Sequence, residues 1–165
     1  MTGSACCNIL ACKYIAGKHC GDPRVKLDDC IFFQLAKASQ MGNRFLNHKV
    51  SELNITPVQA MILGALHVED RITSSELGRK TELDSATLTG IIDRLEAAQL
   101  IERKGNPADR RSIQIHLTDQ GRAMGAEAAR VIAEANVEFM ANLSEDENSE
   151  LRRLVAKLRA SAARS

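Results

Sequence analysis

The sequence predicts a mainly α-helical domain that carries one small β-hairpin, and three observations support that expectation. Apolar residues recur at helical spacing in several separate segments, and hydroxyl or carboxylate caps stand where those segments begin. A single run, Ser112-Ile113-Gln114-Ile115-His116-Leu117, alternates polar and apolar with the period of a half-buried strand. The 165 residues, 44% hydrophobic and 26% charged, suffice for one domain with a real core. No apolar run approaches the ~18 residues of a membrane span, so a soluble, cytoplasmic protein with no membrane partner is expected. A formal net charge of +1 leaves partners to be read from where charge is placed.

Residues 1–26 mix Gly, Cys, Lys and Asp without periodicity, and Gly21-Asp22-Pro23 is a turn signal. A poorly ordered N-terminal extension is expected there. All five cysteines, Cys6, Cys7, Cys12, Cys20 and Cys30, fall in the first thirty residues. Their odd number and irregular gaps do not form a disulfide framework, and no secretory signal pattern precedes them. The first four also lack the C-x-x-C pairs that set metal ligands on one turn, so no metal and no cofactor is expected. A metal- or iron–sulfur-responsive leader built on Cys6, Cys7, Cys12 and Cys20 is the alternative they leave open.

The organised domain covers 27–165. From Asp28 to about Ser51, Ile31, Leu35, Ala38, Phe45 and Val50 form a helical stripe, giving a first long helix. Thr56 caps a second helix with Pro57 at its first position, where a missing N–H costs nothing; Val58, Met61, Ile62, Ala65 and Leu66 are its expected buried face. Thr73-Ser74-Ser75-Glu76 is a capping box for a short helix to about Lys80. Asp84 or Ser85 then caps a helix through Leu88, Ile91, Ile92 and Leu95 to about Ala98.

Two helices joined by a tight connection, the second opening on a hydroxyl-rich turn, read as a helix-turn-helix. The start of that second helix, Ser85-Ala86-Thr87-Leu88-Thr89-Gly90, combines small side chains with hydroxyls able to bond base edges or phosphates. Arg94 can add a phosphate contact. Next come the apolar Leu100-Ile101 and the alternating run to Leu117, separated by a loop with Gly105, Asn106 and Pro107. A hairpin directly after a helix-turn-helix makes a winged helix, here over 56–118. From Arg103 to Arg111 the wing carries Arg103, Lys104, Arg110 and Arg111 against Asp109, a net +3.

After the wing, Thr118 with Asp119 caps a long helix marked by Met124, Ala128, Val131, Ala135 and Phe139. Ser144-Glu145-Asp146-Glu147 is a further capping box, opening a last helix with the stripe Leu151, Leu154, Val155 and Leu158. These stripes exceed what one small winged helix must cover. There is no phosphate-cradling glycine loop, no H-E-x-x-H and no nucleophile-and-base constellation, so no enzyme is expected.

Residues 83–124, LDSATLTGIIDRLEAAQLIERKGNPADRRSIQIHLTDQGRAM, resemble the core of the MarR family of bacterial transcription regulators. The likeness rests on the hydroxyl-rich helix, the D-x-R motif of the wing (Asp109, Arg110, Arg111) and the following L-T-x-x-G (Leu117, Thr118, Gly121). With the preceding helices it extends from about Leu27 to the C-terminus. It implies a homodimer joined through helices in 27–53 and 119–165, binding double-stranded DNA at an inverted-repeat operator. It implies Arg111 in the minor groove, Asp109 orienting it by pairing, and Arg110 on a phosphate. Ser85, Thr87, Thr89 and Arg94 of the recognition helix, with Arg103 and Lys104 of the wing, complete the expected DNA contacts.

The resemblance also implies a repressor with a trigger. The expected effector is a small aromatic or heteroaromatic acid, held among Met41, Arg44, Phe45, His48, Met61 and His67, with Arg44 pairing the acid and His48 bonding a ring substituent. The alternative is thiol-based peroxide sensing at Cys30, since LDDCIFFQLAKASQ and LDSATLT are similar to the peroxide-sensing branch. Counting back from Asn54-Ile55-Thr56, however, puts that branch's sensor near Phe32. The only tyrosine is Tyr14, and Asp28 and Asp29 disfavour a thiolate at Cys30.

Overall fold

The computed structural model describes residues 26–107, 109 and 111–162. Cys6, Cys7, Cys12, Tyr14, Cys20 and Arg110 lie outside the described residues. The chain divides into two units, Met1–Ala38 and Ser39–Ser165. In the first, a 3-10 turn at Leu27–Asp29 precedes α1 (Ile31–Val50), whose later turns belong to the second unit. The helix expected from Asp28 therefore starts three residues later. Cys30 is extended (φ −84°, ψ 105°) and interrupts the ladder, while its carbonyl accepts the Gln34 N–H at 3.0 Å and so opens α1.

The second unit continues with α2 (Pro57–Val68), β1 (Ile72–Thr73), α3 (Ser74–Thr81), α4 (Ser85–Ala97), β2 (Ile101–Gly105), β3 (Ile113–Leu117), α5 (Asp119–Phe139) and α6 (Glu145–Ala162). Local chemistry sets most of these starts. Thr56 and Gln59 form a capping box with Pro57 at the first position, Thr73 and Glu76 form another, and Ser144 and Glu147 exchange the same pair of bonds. Each such cap contributes about 1 kcal/mol.

The strands form an antiparallel sheet in the order β1-β3-β2, with Ile101 opposite Leu117, Arg103 opposite Ile115 and Ile72 opposite Ile115 on the other side. β1 has only two residues, too few to show a period in sequence. The core beneath the sheet joins Ile62, Leu66, Leu77, Leu88, Ile92, Leu95, Ile101, Ile115 and Leu117. Each such side chain stabilises the fold by about 1.5–3 kcal/mol when removed from water.

α2 buries Ala60, Ile62, Leu63 and Leu66, whereas Val58 and Met61, expected in its buried face, are exposed. The reason is α5. A Cβ on Gly125 would meet the Leu63 carbonyl oxygen at 2.9 Å, and Ala128 is fully buried. This close backbone approach turns the Ala60–Leu63 side of α2 to α5 and the Val58–Met61 row outward. Among the described residues no helix is long and apolar enough to cross a membrane.

Candidate nucleic-acid interface

The helix expected to carry DNA recognition is α4. Asp84, not Ser85, is its cap, accepting the Thr87 N–H at 2.9 Å and the Thr87 hydroxyl at 2.6 Å. Those two bonds hold the Asp84 carboxyl below the usual carboxylate range. Leu88, Ile91, Ile92 and Leu95 anchor one side of the helix in the core, leaving Ser85, Ala86, Thr87, Thr89, Asp93 and Arg94 exposed on the other. The Thr89 hydroxyl donates to the Ser85 carbonyl at 2.8 Å. With their protons committed, the Thr87 and Thr89 oxygens are acceptors, suited to exocyclic amino groups of bases. The Ser85 hydroxyl keeps its proton free among the described residues and can donate to a phosphate.

The wing tip is held by its own backbone and two small polar side chains. Asn106 N–H donates to the Ser112 carbonyl at 3.0 Å, and Asn106 Nδ2 to Ser112 Oγ at 2.9 Å. Asp109 N–H donates to the Asn106 carbonyl at 3.2 Å, and Ser112 N–H to the Asp109 carbonyl at 3.0 Å. The Asp109 carboxylate accepts the main-chain N–H of Arg111 at 3.0 Å. Asp109 thus orients Arg111 through its backbone, as an Asx turn does, and not by pairing its guanidinium. The Arg111 side chain is exposed and has no ion-pair partner among the described residues.

Arg103 differs from its neighbours. Its place opposite Ile115 sets it on the inner face of the hairpin, where the guanidinium pairs with Asp93 at 2.5 Å and with Glu96. Glu96 also accepts the Arg103 N–H at 3.2 Å. The bond to Asp93 and the charge of Glu96 raise the guanidinium pKa against the opposing effect of partial burial. Arg103, expected as a DNA contact, here clamps α4 to β2, with its charge engaged by Asp93 and Glu96. Lys104 stays exposed beside Glu102 at 2.5 Å.

The wing's base is also tied to α5. Thr118 caps α5 through the Gly121 N–H at 2.9 Å and donates its hydroxyl to the Gln99 carbonyl at 2.7 Å, while Thr118 N–H reaches the Leu100 carbonyl at 3.2 Å. A Cβ on Gly121 would lie 1.7 Å from the Leu100 oxygen. L-T-x-x-G is therefore a buried anchor, a cap and a residue without a side chain at one junction. Asp70, Glu96 and Ser112 also hold this surface together, and none of the three has an expected positioning role from the sequence, where Ser112 only opens the strand. A strand period that sets Arg103 on the side of Ile101 could have pointed to Glu96.

The six effector candidates do not converge. Arg44 lines an open cleft of about 520 Å³ with Asn43, Asn47, Pro57 and Val58. His48 lines a separate groove of about 900 Å³, between the end of α1 and α5, with Lys49, Glu52, Arg130, Val131 and Val137 among its walls. Phe45 is taken up by Phe139, ring centres 5.3 Å apart, and Met41, Met61 and His67 are exposed outside both. The helix turns carrying Arg44 and His48 face different neighbours, one the start of α2 and the other α5. Cys30 is a partly buried free thiol at the start of α1. Among the described residues no His, Cys, Asp and Glu cluster could hold a metal.

A model of the MarR family matches residues 55–113. The chain is 31% identical over 133 residues to the HTH-type transcriptional regulator MgrA of Staphylococcus aureus, covering 80% of this chain and 89% of that protein. Its fold is similar to that of a MarR mutant from E. coli complexed with operator DNA, with TM-score 0.70 and 30% identity over 76% of this chain and 90% of that one. It is also similar to PcaV of Streptomyces coelicolor in complex with its natural ligand, with TM-score 0.78 and 26% identity over 86% and 99% of the two chains. Helix-turn-helix, wing and the tie between wing and α5 thus coincide with sequence likeness over most of the chain, which belongs to the MarR family of winged helix-turn-helix transcriptional regulators.

Proposed function

We propose that the protein is a homodimeric, sequence-specific DNA-binding repressor, released from an inverted-repeat operator by a small aromatic or heteroaromatic acid. The observation that carries the reading is the exposed, rigidly capped start of α4 beside a wing whose Arg111 side chain is exposed and has no ion-pair partner among the described residues. Ser85, Thr87, Thr89 and Arg94 address the major groove and its phosphates. Arg111, aimed by Asp109, enters the minor groove, where a narrow A·T-rich segment concentrates negative potential. Lys104 adds backbone attraction, and so does Arg110, whose phosphate role rests on the family motif. Two-fold symmetry puts the recognition helices in successive major grooves roughly 10 bp apart. The operator complex of MarR supports this reading.

A small-molecule trigger finds support in PcaV, crystallised with its natural ligand, and in the groove beside His48, whose volume of about 900 Å³ suits a small molecule. Val131 and Val137 offer apolar walls and His48 can meet a carboxylate, while Arg130 in the same wall is paired with Glu127 and Glu134. Such a ligand releases DNA if it binds better to a conformer whose recognition helices are wrongly spaced.

A gel-shift titration tests both halves. Arg111→Ala is expected to weaken operator binding by more than about tenfold while the protein still elutes as a dimer. The wild-type shifted band is expected to disappear as aromatic carboxylic acids are added. Unchanged binding by Arg111→Ala removes the wing from the interface, and a band indifferent to every acid removes the ligand class.

A further inference from the structure

β1 pairs Ile72 with Ile115 and Thr73 with Gln114, so continuing this antiparallel ladder would set Leu117 opposite Asp70. The main chain does not continue it, because Arg71 lies in the left-handed region at φ 62° and turns the strand aside. The Asp70 carboxylate acts in place of the missing strand. Oδ1 accepts the Leu117 N–H at 2.9 Å and the Arg71 N–H at 2.9 Å, and Oδ2 accepts the Arg122 guanidinium at 2.6 Å. One side chain thereby joins the turn after α2, the last residue of the wing strand and the first turn of α5.

We propose that Asp70 is a positioning residue for DNA binding: by closing the base of β3 and tying it to α5, it sets the angle at which the wing holds Arg111. The inference rests on the wing's minor-groove role proposed above. Leverage explains why the base matters. The five residues of β3 span roughly 17 Å, so a tilt of about 10° at Leu117 moves the tip by about 3 Å. That displacement is enough to take a guanidinium out of hydrogen-bond range of its acceptor.

The test is a double-mutant cycle on a labelled duplex that the wild-type chain selects from a randomised pool. Binding is read by fluorescence anisotropy, with a melting temperature for each variant. Asp70→Ala is expected to weaken binding on the order of tenfold but to add no further loss in the Arg111→Ala background. Asp70→Asn, whose side-chain oxygen still accepts the Leu117 N–H but whose amide nitrogen cannot accept from Arg122, is expected to lose less affinity than Asp70→Ala and about as much as Arg122→Gln. Should Asp70→Ala not fold, Arg122→Gln replaces it in the cycle, cutting the tie to α5 while sparing both main-chain bonds. Unchanged affinity, or losses that simply add, overturns the proposal. If Arg111→Ala itself binds normally, the wing reading fails first and is distinguished from a failure of Asp70 alone.

Discussion

Gly121 sits where the end of the recognition helix, the wing and α5 meet, and no side chain fits there. A Cβ would lie 1.7 Å from the Leu100 oxygen and 2.8 Å from its carbonyl carbon, both main-chain atoms held by the Thr118 bonds. Relief requires moving the backbone. Gly121→Ala is therefore expected to destabilise the fold by about 3 kcal/mol, lowering the melting temperature by roughly 10 °C. Gly90 makes the opposite case. A Cβ there meets nothing within 4 Å, and an alanine in a helix is favoured over glycine by about 0.5–1 kcal/mol. Gly90→Ala should raise the melting temperature by a few degrees, so differential scanning calorimetry of the two variants reads opposite signs from one substitution type.

At the level of elements, the same carboxylates that start helices make the fold acid-sensitive. Glu76 is held below its ordinary value by the Thr73 N–H and hydroxyl, Asp84 by the hydroxyl and N–H of Thr87, and Glu147 by the N–H and hydroxyl of Ser144. For Asp70, partial burial pushes the carboxyl up, yet the N–H groups of Leu117 and Arg71 and the Arg122 guanidinium outweigh it. A carboxylate whose folded pKa is depressed stabilises above its unfolded value and loses that contribution as pH falls through the folded one. The melting temperature should accordingly be flat above about pH 5 and fall below about pH 4, with a shallower fall in Asp70→Asn. Helix starts were legible in sequence because these caps act within three residues. Arg103 was not, since its partners Asp93 and Glu96 lie on another element, ten and seven residues back. Asp70 could not be, because its partners stand 47 and 52 residues away, where no local pattern reaches. The six effector candidates were grouped from their helices alone, and which neighbour each turn faces depends on packing that periodicity does not encode.

For the whole molecule, the apolar residues outside the core are where we propose that the homodimer joins. Leu151, Leu154, Val155 and Leu158 recur at three and four residues along α6, all at least 40% exposed, and in the other unit Phe32 is 80% exposed. Neither core cluster includes any residue of α6. A face of this kind calls for a second copy, as the proposed homodimer supplies, since covering each side chain stabilises by about 1.5–3 kcal/mol. The double variant Leu154→Asp with Leu158→Asp sets two carboxylates in that face without touching the core. Sedimentation equilibrium should find a monomer whose circular dichroism is nearly that of the wild type. Operator affinity should fall far more than half-site affinity, because linking two recognition helices makes the second contact intramolecular and raises avidity by about 10²–10⁴. A monomer that still bound the full inverted repeat as tightly as the wild type would mean that one protomer suffices. A variant that stayed dimeric would move the interface off α6 and leave Phe32 and its neighbours in α1 to form it.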